Sequence, residues 1–156
     1  MNWFINNREM IRNLQINTGT SAVPSFTNLC TTSECSLAVD MEQKDFFVFC
    51  DAIKRSIITG ATLTLKATVK IDMNNSAIEE HLKGIHTILE SGTVAQFNNQ
   101  LVRFELLEKV QTSALTYKKY EVPVNVKIGE LGGAAENEGS YSLEMTINGK
   151  GTIVTA

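Results

Sequence analysis

The chain has 156 residues, 43% of them hydrophobic, and a net charge of −3, which indicates one globular domain spanning residues 1–156. The acidic balance argues against tight nucleic-acid binding, because such binding needs clustered Lys and Arg. No apolar run approaches the roughly 18 residues that a membrane helix needs, so we expect no membrane contact. Arg8, Glu9 and Arg12 lie where a signal peptide would have its apolar core, and we therefore expect folding in the cytoplasm.

The first half of the chain is predicted as an arm, a long loop and two strands. Residues 1–22 have no sustained period, which is typical of an N-terminal arm. Ser, Thr and acidic residues predict a loop over Thr31–Asp45. The apolar run Phe46–Cys50 predicts a short buried strand, and residues 51–59 fit either a helical turn or a loop. Leu63–Ile71 alternates apolar residues with Thr and Lys, which predicts a strand with one buried and one wet face.

One amphipathic helix is predicted after these strands. Ser76 and Glu79 form a capping box at its start, and Gly92 follows its end. Apolar residues at helical spacing predict one face that packs on the core. The residues of this face are Ile78, Leu82, Ile85 and Leu89.

The second half of the chain carries the strictest alternation. Residues 102–106, 120–128 and 141–147 alternate apolar and polar side chains, which predicts three strands with one buried face each. The last two strands flank a long exposed loop at residues 129–139, which is rich in Gly and Glu. Loops of this length in compact domains are usually either functional or disordered.

The predicted elements define the fold class. Short strands at Val94–Phe97 and Thr152–Val154 bring the total to six or seven strands and one helix. This set predicts a mainly β (α+β) fold, an antiparallel β-sandwich or partly closed barrel flanked by one α-helix. Pro123 cannot donate to a neighbouring strand, so we expect it to blunt a sheet edge. The strand Leu63–Ile71 has no such interruption and could accept a further strand.

The sequence offers no residues for catalysis, cofactor binding or metal binding. Cys30, Cys35 and Cys50 lack the paired spacing of a zinc site, and their odd number fits reduced thiols. His81 and His86 are five residues apart on the predicted helix, so they point in different directions and cannot share a metal, and we expect both to be ordinary surface or rim histidines. We expect no cofactor, and the long acidic loop points to assembly rather than to catalysis.

The polar face of the strand Leu63–Ile71 is a further candidate for function. Thr64, Lys66, Thr68 and Lys70 share this face because side chains alternate along a strand. Such a face suits the lining of a hydrated channel. It suits an ordinary solvent-exposed sheet equally well, and the residue pattern leaves both interpretations open.

Several segments follow one another in a familiar order. A Pro-Ser-Phe-Thr segment at Pro24–Thr27 precedes a strand entered through Thr59-Gly60. The helix follows, then a Gly-Gly-Ala-Ala-Glu loop at Gly132–Glu136 and the final segment Tyr141–Thr152. This order resembles that of the major tail tube proteins of long-tailed, siphovirus-like bacteriophages. The resemblance covers about residues 20–156 and lies in pattern and order rather than in a strict signature.

The resemblance implies a structural virion protein that is not an enzyme. Six copies would form a ring, and stacked rings would form a hollow tail tube around a tape-measure protein, in contact with other tail proteins. DNA would pass through the lumen without specific binding, and assembly would take place in the cytoplasm of the host bacterium. Residues expected at contacts between subunits or rings are Pro24, Phe26, Asp40, Glu42, Asp45, Glu130, Glu136, Glu138 and Lys150.

Two points stay open at this level. The lumen in this family generally carries net negative charge, from which Lys66 and Lys70 depart, so either their face points outward or acidic neighbours offset them. A monomeric ligand-binding or adhesion β-sandwich is an alternative function, and it predicts an apolar pocket or an aromatic patch. Another ring-forming tail or baseplate protein is a second alternative, which the sequence does not separate from a tube subunit.

Overall fold

The computed structural model describes residues 4–20, 22–29, 32–48, 50–72, 74–110 and 114–154. Three residues in segments that the sequence analysis named, Cys30, Thr31 and Phe49, lie outside these residues. A helix, α1 (Ser76–Ser91), separates two groups of strands, and two short 3-10 helices cover Asn7–Glu9 and Ala95–Phe97. The strands are β1 (Ile11–Asn17), β2 (Phe26–Asn28), β3 (Thr32–Val48), β4 (Asp51–Lys70), β5 (Gln100–Val110), β6 (Leu115–Leu131), β7 (Ser140–Ile147) and β8 (Thr152–Ile153).

The strands form one antiparallel sheet, which confirms the predicted mainly β fold. Their order is β2-β1-β5-β6-β7-β4-β3, and β8 pairs with β6. The first half of β6 pairs with β5 and its second half with β7. The sheet curls until Cα atoms of β1 and β3 come within 8 Å of each other, but within the described residues no ladder joins these strands. Of the two predicted architectures, the partly closed barrel therefore describes the fold.

The core lies between one face of this sheet and α1. The alternation predicted for β4, β6 and β7 is present where these strands meet the core. The alternating buried residues are Leu65, Ala67 and Val69 of β4, Val122, Val124 and Val126 of β6, and Tyr141, Leu143 and Met145 of β7. Burial of this apolar surface is the main term that stabilises the domain. The buried apolar residues are Ile11, Leu14, Ile16, Leu29, Leu65, Ala67, Val69, Ala77, Ile78, Val102, Phe104, Val122, Val124, Val126, Tyr141, Leu143 and Met145.

The structure corrects the prediction of an N-terminal arm over residues 1–22. β1 lies inside the sheet, paired with β5 and β2, and its Ile11, Leu14 and Ile16 are buried in the core. A bulge with Asn13 at a φ of 54° shifts the buried positions from an odd to an even residue number. The bulge hides the strand in the sequence, because it breaks the two-residue period.

The structure also corrects the predicted loop Thr31–Asp45, because β3 and β4 form one long hairpin. Since β7 pairs with β4 only from Thr64 onward, the hairpin continues beyond the rest of the sheet. We name this extension, Val39–Val48 with Asp51–Leu63, the β3–β4 ribbon. Nine residue steps from its base to its end correspond to about 30 Å. Both of its faces are mostly exposed, so no core-facing alternation marks it in the sequence.

Three smaller predictions fail in the same region. The run Phe46–Cys50 is not a buried strand, since Phe46 and Phe47 are exposed on the ribbon. Residues 51–59, which the sequence analysis assigned to either a helical turn or a loop, belong to β4. The strand predicted at Leu63–Ile71 cannot accept a further neighbour, because β3 and β7 already pair with it on both sides.

The predicted helix is confirmed, but its buried face is rotated. Asn75 rather than Ser76 caps it, with the Asn75 side chain accepting a hydrogen bond from a backbone N–H in the first turn. Gly92 ends it in the left-handed conformation, with a φ of 73°. Leu89, predicted in the buried stripe, is 78% exposed. The residues that α1 buries are Ala77, Ile78, His81 and Gly84.

Pro123 does not blunt a sheet edge, because β6 is a central strand. The backbone N–H and C=O of one residue in an antiparallel strand point toward the same neighbour. The Pro123 oxygen accepts a hydrogen bond of 2.8 Å from the backbone N–H of Asn148. The Pro123 nitrogen, which carries no hydrogen to donate, therefore faces the turn between β7 and β8, where no strand requires a donor. The short strand predicted at Val94–Phe97 is instead a 3-10 helix at Ala95–Phe97.

Candidate subunit interface

The β3–β4 ribbon concentrates exposed apolar side chains. Its residues form strands because Ile and Thr are frequent in β4, and β-branched residues favour extended backbone. A concentration of exposed apolar side chains is the usual sign of a site where a protein meets a partner. The exposed large apolar residues of the ribbon are Val39, Met41, Phe46, Phe47, Val48, Ile53, Ile57 and Ile58.

Apolar side chains lie on both faces of the ribbon. Phe46 and Phe47 follow each other in β3 and therefore point to opposite faces. Cross-strand partners share a face, and Gln43 pairs with Ile58 while its neighbour Lys44 pairs with Ile57. One flat partner surface can cover only one of these faces.

Three of the predicted interface residues lie on this ribbon. The structure brings Asp40, Glu42 and Asp45 onto one exposed strand, β3, instead of a loop. The Asp45 carboxylate pairs with the Lys54 ammonium at 2.9 Å, and this hydrogen bond lowers the pKa of Asp45. Gln43 donates a second hydrogen bond of 3.1 Å to the same carboxylate. The ion pair joins the two strands of the ribbon near its end, whereas the Gln43 hydrogen bond lies within β3.

The acidic loop is shorter than predicted and leans on the end of β4. Its first residues, 129–131, extend β6, which places Glu130 on a strand and leaves 132–139 as the exposed loop. The Glu138 carboxylate lies 3.1 Å from the Lys70 ammonium. The structure thus joins a predicted interface residue to a predicted lumen residue. Glu136 is exposed in the same loop.

The remaining predicted interface residues lie on separate turns. Pro24 is exposed in the turn between β1 and β2. Phe26 is half-buried, because the Arg103 guanidinium stacks over its ring at 3.9 Å from the ring centre. The same guanidinium pairs with the Glu121 carboxylate at 3.1 Å. Lys150 is exposed in the turn between β7 and β8. The structure does not bring these three residues together with the ribbon acids.

The polar face of the sheet carries an alternating row of charges. Thr64, Lys66, Thr68 and Lys70 share the face opposite to the core, as predicted. In the ladder Lys66 lies opposite Glu144 of β7, and Glu144 lies opposite Lys127 of β6. An acidic residue thus stands between two lysines, and Lys70 pairs with Glu138. The residues opposite Thr64 and Thr68 in β7 are Thr146 and Ser142.

The structure corrects the expectation that both histidines lie at the surface or its rim. His86 is exposed, but His81 is buried between α1 and β7, with its Nδ1 at 2.9 Å from the Tyr141 hydroxyl. Burial lowers the pKa of His81 to about 4 and raises that of Tyr141. Cys35 is half-buried, and burial raises the pKa of its thiol to about 11. In the part of the chain that the structure describes, no three His, Cys, Asp or Glu residues come together as a possible metal site.

The sequence analysis missed the apolar residues of the ribbon. Ile53, Ile57 and Ile58 do not alternate, and the run around Phe46 looked like core. A signal was available in the density of β-branched residues from 51 to 63, which favours a strand over the helix or loop considered there. The exposure of these residues could not be predicted, because apolar strand residues are more often buried.

Comparisons with known proteins identify similar folds but no relative in sequence. No family model matches the chain, and no curated protein matches it. The structure is similar to a chain in the virion of a native gene transfer agent particle, with a TM-score of 0.60, 10% identity, and coverage of 97% of this chain and 100% of that chain. It is similarly close to a chain in the tail of an empty gene transfer agent particle with C6 symmetry, with a TM-score of 0.59, 11% identity, and coverage of 97% and 100%.

A further match concerns the six-fold symmetrised baseplate of the anti-feeding prophage, with a TM-score of 0.49, 13% identity, and coverage of 99% of this chain and 97% of that chain. A TM-score below 0.5 does not establish a shared fold. The two gene transfer agent matches establish a shared fold over nearly the whole chain. None of the helices within the described residues combines the length and the apolar character that crossing a membrane requires.

Proposed function

We propose that the chain is a structural subunit of a phage-like tail, which assembles into six-membered rings that stack into a hollow tube. The observation that carries this proposal is the apolar β3–β4 ribbon on a domain that shares its fold with a chain of a C6-symmetric gene transfer agent tail. The fold supplies a subunit of suitable shape. The ribbon supplies an apolar surface that a solitary domain would leave in water.

The size of this surface supports assembly rather than a weak contact. Eight large apolar side chains exposed by 37–73% present on the order of several hundred Å² of apolar surface over the two faces of the ribbon. A stable protein interface buries about 800 Å² on each partner. The ribbon therefore supplies a substantial part of the area that one subunit of a stable assembly contributes.

The ribbon fits contacts between stacked rings. It extends about 30 Å beyond the rest of the sheet, far enough to reach a neighbouring copy. Apolar side chains lie on both of its faces, and a position between neighbouring copies removes both faces from water. Asp40, Glu42 and Asp45 belong to this contact in the proposal. The exposed loop 132–139 and the turns with Pro24 and Lys150 add further contacts, while Phe26 plays a smaller role because Arg103 covers its ring.

The polar face of the sheet lines the lumen in this proposal. α1 covers the opposite face, so only the polar face is free to border a water-filled channel. Glu144 between Lys66 and Lys127, and Glu138 beside Lys70, offset the lysines that departed from the expected acidic lining. Three lysines against two glutamates leave this face with a net charge of +1, and in the proposal so small an excess lets DNA pass without specific binding. A tape-measure protein and other tail proteins are the further partners that a tube of this kind needs.

Electron microscopy tests the proposal directly. Concentrated wild-type protein, sized by light scattering and then viewed in negative stain, is expected to form six-fold rings or hollow tubes. The double variant Phe47→Asp, Ile53→Asp is expected to remain a folded monomer, because both side chains are mostly exposed and the charges act only on the contact.

Leu89→Asp is the matched control. Leu89 is as exposed as the two ribbon residues but lies on α1 and not on the ribbon. This variant should assemble like the wild type. If the double variant still formed tubes, the ribbon would not be part of the assembly contact. A wild-type chain that stays monomeric under all conditions would instead favour a ligand-binding module.

A further inference from the structure

The base of the β3–β4 ribbon, unlike its end, is apolar on one face and polar on the other. Cross-strand partners share a face, and consecutive residues of a strand point to opposite faces. Apolar and polar pairs therefore alternate between an apolar base face and a polar base face. The apolar pairs are Val39–Leu63 and Met41–Ala61, and the polar pairs are Asp40–Thr62 and Glu42–Gly60.

The apolar base face continues the core of the domain. Closer to the domain, Leu37 pairs with the fully buried Leu65 and packs against the core. Two residues further out, Leu63 is half-buried and Val39 is 51% exposed. Met41, two residues beyond Val39, is 59% exposed. The two strands thus carry apolar pairs past the point where the subunit itself supplies packing for them.

The polar base face continues the polar face of the sheet. Asp40 and Glu42 lie two and four residues beyond Ala38, which pairs with Thr64. Because residues two apart in a strand share a face, both acids stand on the same side of the sheet as Thr64. A bulge between Glu42 and Gln43 ends this regular part of the ribbon.

We propose that the apolar base face docks on a second copy of the chain in the adjoining ring, while the polar base face borders the lumen. This inference rests on the proposed tube and names the face of the ribbon that makes the contact between rings. A pair of strands in the wall of a hollow tube has the lumen on one face and protein on the other. The subunit leaves Val39 and Met41 more than half exposed, so the protein that covers them comes from another copy.

The energetics of burial select the apolar base face for this contact. Burying apolar surface contributes about 25 cal/mol per Å². Burying a carboxylate without a partner costs several kcal/mol. Within the described residues, the carboxylates of Asp40 and Glu42 have no hydrogen-bond or ion-pair partner. They therefore stand at the rim of the contact, on its lumen side, where water hydrates them.

Cysteine footprinting of assembled tubes tests this assignment. Met41→Cys and Glu42→Cys place a thiol on neighbouring residues of opposite faces, and Val39→Cys with Asp40→Cys repeat the comparison closer to the domain. N-ethylmaleimide, which is small enough to enter an open tube, is added to tubes and to dilute monomer of each variant. Tandem mass spectrometry separates the label at the new cysteine from labels on the native cysteines.

The two faces should differ in how assembly changes the rate of modification. At positions 39 and 41 the rate should fall at least about tenfold, because the core of an interface packs as tightly as a protein interior. At positions 40 and 42 it should change by less than about threefold, because the polar rim stays accessible to solvent. If Met41→Cys does not assemble, the pair at positions 39 and 40 decides the assignment.

Leu89→Cys on α1 is the control for access of the reagent, and its rate should be the same in tubes and in monomer. Equal slowing on both faces, slowing only at positions 40 and 42, or no slowing in formed tubes would overturn the assignment of the faces and leave the proposed function intact. A wild-type chain that never assembles would overturn the proposed function, and this inference with it.

Discussion

The buried His81 makes the stability of the domain depend on pH. A charge at this position would lose its hydration, so the side chain is neutral when folded, and its pKa falls from 6.5 to about 4. Between these pH values the unfolded chain binds a proton that the folded chain does not bind. The stabilising contribution is therefore complete above pH 6.5 and is lost as the pH falls toward 4. Urea denaturation should show a loss of about 2 kcal/mol in unfolding free energy between pH 7 and pH 5.

Two histidine variants separate this effect from other titrations. His81→Gln keeps a polar group near Tyr141 but cannot be protonated, so its unfolding free energy should change much less between pH 7 and pH 5. His86→Gln should keep the wild-type dependence, because His86 is exposed. If His81→Gln kept the full pH dependence, another group would be responsible for it.

At the scale of elements, burial decides which strands the sequence reveals. β6 and β7 alternate strictly because one face of each lies on the core, and the pattern predicted them. β1 was missed because the bulge at Asn13 shifts its buried positions from odd to even residue numbers, which breaks the two-residue period. The β3–β4 ribbon was missed because neither face is buried within the subunit, so folding imposes no period on it. Strand prediction from alternation works only where one subunit supplies the core.

The helix carries a prediction at the same scale. Ile78 is buried against the sheet, whereas Leu89 is mostly exposed, although both belong to the apolar stripe visible in the sequence. Ile78→Asp places a charge in the core and should cost more than about 4 kcal/mol, a large fraction of the stability of an ordinary domain. Leu89→Asp should change stability by less than about 0.5 kcal/mol. Circular dichroism with urea denaturation measures both, and equal losses would contradict the rotated buried face of α1.

At the scale of the whole molecule, the surfaces proposed for assembly are those that the fold itself does not require. The core explains why the chain folds, but it leaves the apolar side chains of the ribbon and most of the loop 132–139 exposed within the subunit. Composition could exclude tight nucleic-acid binding, and the residue order could suggest a tail protein. The positions of Asp40, Glu42 and Asp45 on one ribbon strand could not be predicted, because they depend on long-range pairing between β3 and β4.

The acidic loop allows folding and assembly to be separated. Glu136 and Glu138 are exposed, and the ion pair between Glu138 and Lys70 is open to water, where such pairs contribute about 0–1 kcal/mol. The double variant Glu136→Lys, Glu138→Lys should therefore melt close to the wild type. In the proposed tube it should shorten or abolish the filaments, because it reverses the charge of a surface between rings. Thermal unfolding and negative-stain microscopy of the same samples measure both effects. If the filaments keep their normal length, this loop does not contribute to the contacts between rings.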